Sequence, residues 1–496
     1  MRSIRVLPAL LTLSLAAVPL AAQDAECSIN TYQPAALGQA TLTIQRAAGA
    51  TTAGDATKAL RDAMKFLNDE KKIAANPLGA GFLKGQIYIL WLHQDGTAEQ
   101  MTNEKLNAGG SKTASVDLAG AADSLFKLVE AQGPGCVEAT SPWRQSKPWT
   151  ERINKAYRFL DANQVDSAEY YTNRSALLYG NSAFVHNAMA QVADKRGNKA
   201  GLLSHLKTAI ELAKPDSTID ETRRQMMFQY AANAQQYALG GEAPNKDALL
   251  KESVDMFLEI LQDDPQAKDA AYAFSAASEV VAQTQDTARG REILGMMSAE
   301  AQKYDDLTLL LAADMARMLQ RNDDAMTMYA AALEKNPNVR DANYFLAFMY
   351  YEKKDASKML PLTEKVIALD PSNPDNYMMH GEALKLTALG EKDAAKKAAL
   401  IKQAEATTAM EGSMQHRVLI TQFERRAEGA LLKGTVENRG RTPKAYTLTV
   451  DFMDLAGEVV ETMTAEVSAV KPSETGKFEI TATKLGIAAF RYAPLK

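Results

Sequence analysis

The stretch DLTLLLAADMARMLQRNDDAMTMYAAALEKNP, residues 306–337, contains two helical patterns in succession and ends on a proline. In both patterns small or apolar side chains recur every three or four residues, which places them on one face of a helix. These positions are Leu309, Ala312, Ala313 and Ala316 in the first pattern and Ala325, Tyr329 and Ala332 in the second. The stretch therefore predicts two helices packed face to face, the second of which is ended by Pro337.

The same pattern recurs at a fixed spacing further along the chain. Pro337 and Pro371, which follow similar apolar segments, are 34 residues apart (371 − 337). Small residues recur at the same interval at Ala313, Ala347 and Gly381. Consecutive matches at one spacing indicate a repeated helix pair.

These residues resemble the tetratricopeptide repeat family. Its 34-residue units have small residues at the eighth and twentieth positions, an aromatic residue near the twenty-fourth, alanine at the twenty-seventh and proline at the thirty-second. The unit from about residue 306 fits at Ala313, Ala325, Tyr329, Ala332 and Pro337. The next unit keeps Ala347 and Pro371 but has Met359, Thr363 and Val366 at the other places. The resemblance extends over about residues 150–411 and implies a mainly α fold, a superhelical solenoid of stacked helix pairs.

The resemblance also implies that the first helix of each unit lines a concave surface that binds a protein or peptide. Projecting the register forward assigns nine residues to this surface: Leu310, Asp314, Arg317, Tyr344, Phe348, Tyr351, Met378, Glu382 and Lys385. The three aromatic residues fall on one face of one helix, where they could anchor a partner. The alternative is that they pack between adjacent repeats, which is the more frequent role of an aromatic row at this spacing.

The amino-terminal residues predict export. Arg2 and Arg5 precede an apolar run over 6–20 and then Ala21-Ala22, the layout of a signal peptide over residues 1–22. The run of about 15 residues is shorter than the roughly 20 that a spanning helix needs, although an uncleaved anchor is an alternative. Acidic residues before Cys27 argue against a lipoprotein. We therefore expect a periplasmic or secreted protein.

Two cysteines, Cys27 and Cys136, follow the predicted signal peptide. In an oxidising compartment they are expected to form a disulfide, the alternative being two separate thiols. The bridge would fasten an amino-terminal block, residues 23–140, that is interpreted as degenerate helix pairs. A boundary to the repeats is predicted at residues 140–148, where Ser141-Pro142-Trp143 and Lys147-Pro148-Trp149 interrupt the helical pattern.

The pattern changes from helical to alternating in residues 414–496. Tyr446, Leu448, Val450 and Phe452 alternate with polar residues, which places one apolar face on a strand. About six such segments predict a small antiparallel β-sandwich. Gly434-Thr435-Val436-Glu437-Asn438 and Val450-Asp451-Phe452-Met453-Asp454 resemble the FxLYD-type domains of bacterial envelope proteins.

The sequence contains no pattern typical of catalysis. None of the five histidines lies in an HExxH pair, and neither GxSxG nor GxxxxGK[ST] occurs. A net charge of −5 without a basic tract argues against nucleic acid as the partner. We therefore expect a non-enzymatic interaction scaffold of the cell envelope, with no cofactor or metal. The alternative is a hydrolase-like enzyme, or its subunit, with acids and histidines converging between the amino-terminal block and the repeats.

Overall fold

A computed structural model describes residues 27, 29–241, 243–267, 269–426 and 428–495. The predicted signal peptide lies outside the described residues. The chain divides into two compact units, residues 1–230 and residues 231–496.

The first unit is mainly helical, with one short antiparallel hairpin. Its helices are α1 (Ala35–Ala48), α2 (Ala53–Phe66), α3 (Glu70–Ile73), α4 (Pro77–Leu92), α5 (Asn103–Leu106), α6 (Leu118–Glu130), α7 (Pro134–Arg144), α8 (Lys147–Asp161), α9 (Val165–Tyr179), α10 (Ala183–Lys195), α11 (Lys199–Ala213) and α12 (Asp220–Leu239), which ends in the second unit. Strands β1 (Gln100–Thr102) and β2 (Ser115–Asp117) form the hairpin around α5. Helix α8 packs against α9, and α10 packs against α11.

In the amino-terminal block α1 packs against α2, and α4 packs against α6. Helix α4 begins where Asn76 accepts a hydrogen bond from the Gly79 amide at 2.8 Å and Pro77 takes the first helical position. The hairpin was not predicted, because strands of three residues are too short to show a period of two. Helix α4 is strongly apolar and buried in the core of the block. None of the described helices is both long enough and apolar enough to cross a membrane.

The predicted disulfide between Cys27 and Cys136 is confirmed. It ties the start of the described chain to α7, across 109 residues of sequence.

Of the two segments that were expected to interrupt the helical pattern, Ser141-Pro142-Trp143 does not. Pro142 lies inside α7, which continues to Arg144. The last turn is held because the Arg144 guanidinium donates to Glu130 on α6 and, at 3.1 Å, to Asp123. The break between α7 and α8 falls at Gln145–Ser146, inside the predicted boundary span 140–148.

The second unit begins with helices and ends with strands. Its helices are α13 (Lys246–Asp263), α14 (Ala270–Thr284), α15 (Thr287–Ala299), α16 (Asp306–Met318), α17 (Asn322–Lys335), α18 (Arg340–Glu352), α19 (Ala356–Leu369), α20 (Pro374–Gly390) and α21 (Ala394–Ser413). The pairs α16/α17, α18/α19 and α20/α21 each pack as two adjacent helices. Their first helices begin at Asp306, Arg340 and Pro374, 34 residues apart at each step. The predicted tetratricopeptide-like helix-pair fold is confirmed.

Small residues at the predicted positions allow the paired helices to approach closely. Ala313 and Ala347 are fully buried on α16 and α18. On α17, Ala325 and Tyr329 are also fully buried. Gly381 takes the same position on α20, where a Cβ atom would collide with the hydroxyl of Thr408 on α21. The side-chain size at this one position therefore sets how closely two helices lie.

The carboxyl-terminal part of the second unit is an antiparallel β region, as predicted, with strands β3 (His416–Arg426), β4 (Gly429–Asn438), β5 (Lys444–Met453), β6 (Val459–Val470), β7 (Thr475–Ala482) and β8 (Ala489–Tyr492). They form two three-stranded sheets, in the order β3-β4-β7 and β6-β5-β8. Tyr446, Leu448, Val450 and Phe452 all point into one core shared by both sheets. The alternation in sequence therefore identifies the inner face of β5 correctly.

Candidate functional site: the first-helix face

The nine residues that the sequence assigned to partner binding lie on α16, α18 and α20, and we call this surface the first-helix face. Five of them are exposed and four are partly buried. The exposed residues are Arg317, Phe348, Tyr351, Met378 and Lys385, and the partly buried ones are Leu310, Asp314, Tyr344 and Glu382.

Large apolar side chains are exposed at the middle of this face. The rings of Phe348 and Tyr351, one turn apart on α18, have centroids 6.5 Å apart. Phe348 is 46% exposed and Tyr351 is 41% exposed, and Met378 on α20 is 50% exposed. Packing within the described part of the chain therefore leaves these three side chains largely open to solvent.

One side of the face is fixed by contacts within the repeats. The Tyr329 hydroxyl on α17 donates a hydrogen bond of 2.5 Å to Asp314 on α16. Burial raises the pKa of Asp314, and burial together with the Asp314 carboxylate raises the pKa of Tyr329. The Arg317 guanidinium lies 4.2 Å from the centroid of the Phe345 ring on α18, a cation–π contact. Asp314 and Arg317 thus join neighbouring helices, and only Arg317 remains exposed.

The other side of the face adjoins strand β3. Leu310 lines a narrow cleft together with Phe423 of β3 and Phe490 of β8, whose rings have centroids 4.9 Å apart. Burial raises the pKa of the Tyr344 hydroxyl, with a further contribution from the negative charge of Asp375. Strand β3 is the terminal strand of its sheet.

The β region is attached to the starts of the first helices by buried polar contacts. Arg425 of β3 donates to Asp306 at 2.9 Å, and Asn336 also donates to Asp306, at 2.8 Å. Further along, the Tyr492 hydroxyl donates to the fully buried Asp370, which also accepts from Arg340 at 3.2 Å. These contacts were not predicted from the sequence. The acids lie in or beside the loops that join successive pairs, where they are expected simply to cap helices.

Charged side chains also converge between the amino-terminal block and the first repeats, where the enzyme alternative expected an active site. Glu99 accepts from Arg174 at 2.9 Å and also from Arg152, and Asp117 accepts from Arg174 at 2.7 Å. Hydrogen bonding from Arg174 lowers the pKa of Asp117. Both acids accept hydrogen bonds from arginines, and no histidine takes part in the hydrogen bonds described for them.

Two of the five histidines lie close together in the structure. The Nδ1 atoms of His186 and His205 are 3.4 Å apart. His380 is buried, and its Nδ1 lies 2.9 Å from the Thr363 hydroxyl. Within the described ranges no three histidine, cysteine or acidic residues group as metal ligands.

No protein-family model and no curated protein matches the sequence. Among solved structures, a tetratricopeptide repeat protein from Parabacteroides merdae is 14% identical, over 54% of this chain and 96% of that chain, with a TM-score of 0.26. The TPR2AB domain of yeast Sti1 in a complex with pHSP90 is 15% identical over 52% and 98%, with a TM-score of 0.22. The TPR domain of P58(IPK) is 15% identical over 75% and 98%, also with a TM-score of 0.22. Scores this low carry no argument about function.

Proposed function

We propose that this chain is a non-enzymatic interaction scaffold that binds an apolar segment of a partner protein on the first-helix face. The observation that carries the proposal is the exposure of Phe348, Tyr351 and Met378 on neighbouring first helices. Aromatic residues are enriched among the side chains that dominate binding energy, and methionine adapts to partners of different shape.

The backbone under these side chains is well supported. Leu346, Ala347 and Met349 of α18 are buried, so the helix presents Phe348 and Tyr351 from a fixed position. A partner that covers these rings therefore gains apolar contact while the scaffold loses little conformational entropy. The cleft between Leu310 and Phe423 adjoins the face and could receive one more apolar side chain of the same segment.

The arginine–carboxylate contacts favour a scaffold over the enzyme alternative. A general acid or base must exchange a proton near the working pH. The carboxylates of Glu99 and Asp117 are instead engaged by Arg152 and Arg174. The buried Asp306 and Asp370 are held in the same way by Arg425 and Arg340.

We place the scaffold in the periplasm or outside the cell. Two observations support this placement, the signal-peptide pattern over residues 1–22 and the disulfide between Cys27 and Cys136. The expected partner is therefore another protein of the envelope or the extracellular space.

The test is crosslinking in living cells followed by recovery of the full-length chain and its partners. Replacing both Phe348 and Tyr351 with alanine removes the two rings from the surface without opening a core cavity. We expect partner recovery to fall by about tenfold or more, because truncating a central aromatic contact costs on the order of 2 kcal/mol.

The matched control is Tyr170→Ala on α9, where a tyrosine is 48% exposed far along the sequence from the first-helix face. Its partner recovery should equal that of the wild type. If the double variant keeps its helical circular dichroism and still recovers all partners at wild-type levels, the first-helix face is not the binding surface.

A further inference from the structure

Two histidines face each other within one helix pair of the first unit. His186 lies in the first turns of α10 and His205 lies in the middle of α11. Their Nδ1 atoms are 3.4 Å apart, their ring centroids are 5.6 Å apart, and their ring planes are inclined by 40°. Both side chains are partly exposed, so solvent and small ions reach them.

The separation of the two nitrogens matches a metal site and is at the long end of the range for a hydrogen bond. Nitrogen donors in proteins usually lie about 2.7–3.2 Å from their acceptors, so 3.4 Å is long for a bond between the rings. A tetrahedral Zn²⁺ ion holds imidazole nitrogens at about 2.0–2.1 Å, which places two ligand nitrogens about 3.3–3.4 Å apart. The observed separation of 3.4 Å fits two imidazole nitrogens bound to one tetrahedral zinc ion.

The protonation state also favours metal binding. Burial lowers the pKa of both imidazoles, and the charge of His205 lowers the pKa of His186 further. A neutral imidazole is the form that binds metals, so the direction of these shifts is compatible with the geometry.

The helices hold the two rings in place before any ion binds. Ala190 of α10 and Leu206 of α11 are fully buried where the pair packs together. Helix α11 begins at a defined residue, because Asn198 accepts a hydrogen bond from the Gly201 amide at 2.9 Å. A metal site on two packed helices needs little rearrangement to form.

We propose that His186 and His205 form a two-histidine site for a divalent transition-metal ion, Zn²⁺ by its geometry, whose remaining positions are taken by water. Since no third protein ligand joins them in the part of the chain that the structure describes, the site is suited to reversible binding. The ion would clamp the two helices of this pair together. This inference is independent of the proposed scaffold function.

The test is titration of the untagged full-length chain with zinc chloride by isothermal calorimetry. We expect the wild type to bind one zinc ion per chain. The variants His186→Ala and His205→Ala should each lower the affinity for zinc by more than about tenfold. His205→Gln, which keeps a polar side chain of similar length, serves as a second variant if the alanine variant does not fold. His380→Ala is the control, since that ring contacts Thr363 and should leave zinc binding unchanged.

X-ray absorption of the zinc-loaded chain gives an independent measurement. Two imidazole nitrogens at about 2.0–2.1 Å from the ion are expected, with oxygen ligands completing the coordination. Absence of zinc binding to the wild type at millimolar concentration would overturn the proposal. Equal zinc binding by the wild type and by a folded His205 variant would also overturn it. Either result would mean that the two histidines only pack against each other.

Discussion

Tyr492 and Asp370 show how strongly single buried polar groups hold the β region on the helix pairs. Asp370 is fully buried and accepts hydrogen bonds from the Tyr492 hydroxyl and from Arg340. The same hydroxyl accepts a hydrogen bond from the Ser372 amide at 3.3 Å. Burial, reinforced by the Asp370 carboxylate, holds the pKa of Tyr492 well above its ordinary value, so the hydroxyl remains a donor.

We predict that Tyr492→Phe lowers the free energy of unfolding by about 1–3 kcal/mol, because it leaves a buried carboxylate oxygen and a buried amide without a partner. Chemical denaturation followed by circular dichroism measures the change. The control is Tyr446→Phe in the same core, whose buried hydroxyl has no hydrogen-bond partner in the described residues. That change should cost less than about 0.5 kcal/mol. Equal losses in the two variants would contradict the role assigned to the Tyr492 hydroxyl.

At the scale of the element, the small residue of each first helix decides the packing of its pair. Ala313, Ala347 and Gly381 occupy equivalent places on α16, α18 and α20. Only the last is glycine, and there the Thr408 hydroxyl of α21 fills the space that a methyl group would take. Thr408 also donates to the Ala404 carbonyl at 2.9 Å, so it cannot move away without a cost.

We therefore predict that Gly381→Ala destabilises the chain by about 1–2 kcal/mol, although alanine is the better helix former. Gly390→Ala at the end of the same helix is the control, since no atom lies within 4 Å of its added methyl group. Thermal unfolding of both variants provides the comparison. An unchanged or higher midpoint for Gly381→Ala would show that α20 and α21 adjust freely.

At the scale of the whole molecule, the disulfide is the longest-range covalent constraint in the first unit. It closes a loop of 109 residues, for which the chain-entropy model gives a stabilisation of up to about 4–5 kcal/mol. All three tryptophans, Trp91, Trp143 and Trp149, lie in this unit, so their fluorescence reports its unfolding.

Replacing both Cys27 and Cys136 with serine should shift the tryptophan transition to a lower denaturant concentration, because the unfolded chain gains conformational freedom. Reduction of the wild type with dithiothreitol should produce a similar shift. The serine variant is the control for the reductant and should not respond to it. Coincident transitions for the oxidised and reduced wild type would mean that the bridge does not constrain this unit.

The sequence by itself determined the helix pairs, their 34-residue register, the β region and the pairing of the cysteines. Each of these follows from local chemistry. Side-chain periodicity selects helix or strand, and Pro337 and Pro371 end helices because proline lacks an amide proton. Predicting the disulfide required only that the chain has two cysteines and that the expected compartment is oxidising. Local chemistry failed at Pro142, where contacts of Arg144 hold a turn that proline was expected to break.

Only the tertiary structure decided which side chains face each other or remain open. The register places Tyr344 and Phe348 on the same helical face, but packing leaves Tyr344 partly buried and Phe348 exposed. His186 and His205 are 19 residues apart in sequence, and only the packing of α10 on α11 brings their nitrogens together. Such contacts depend on helix rotation and rotamer choice, which packing with distant residues fixes and local periodicity does not.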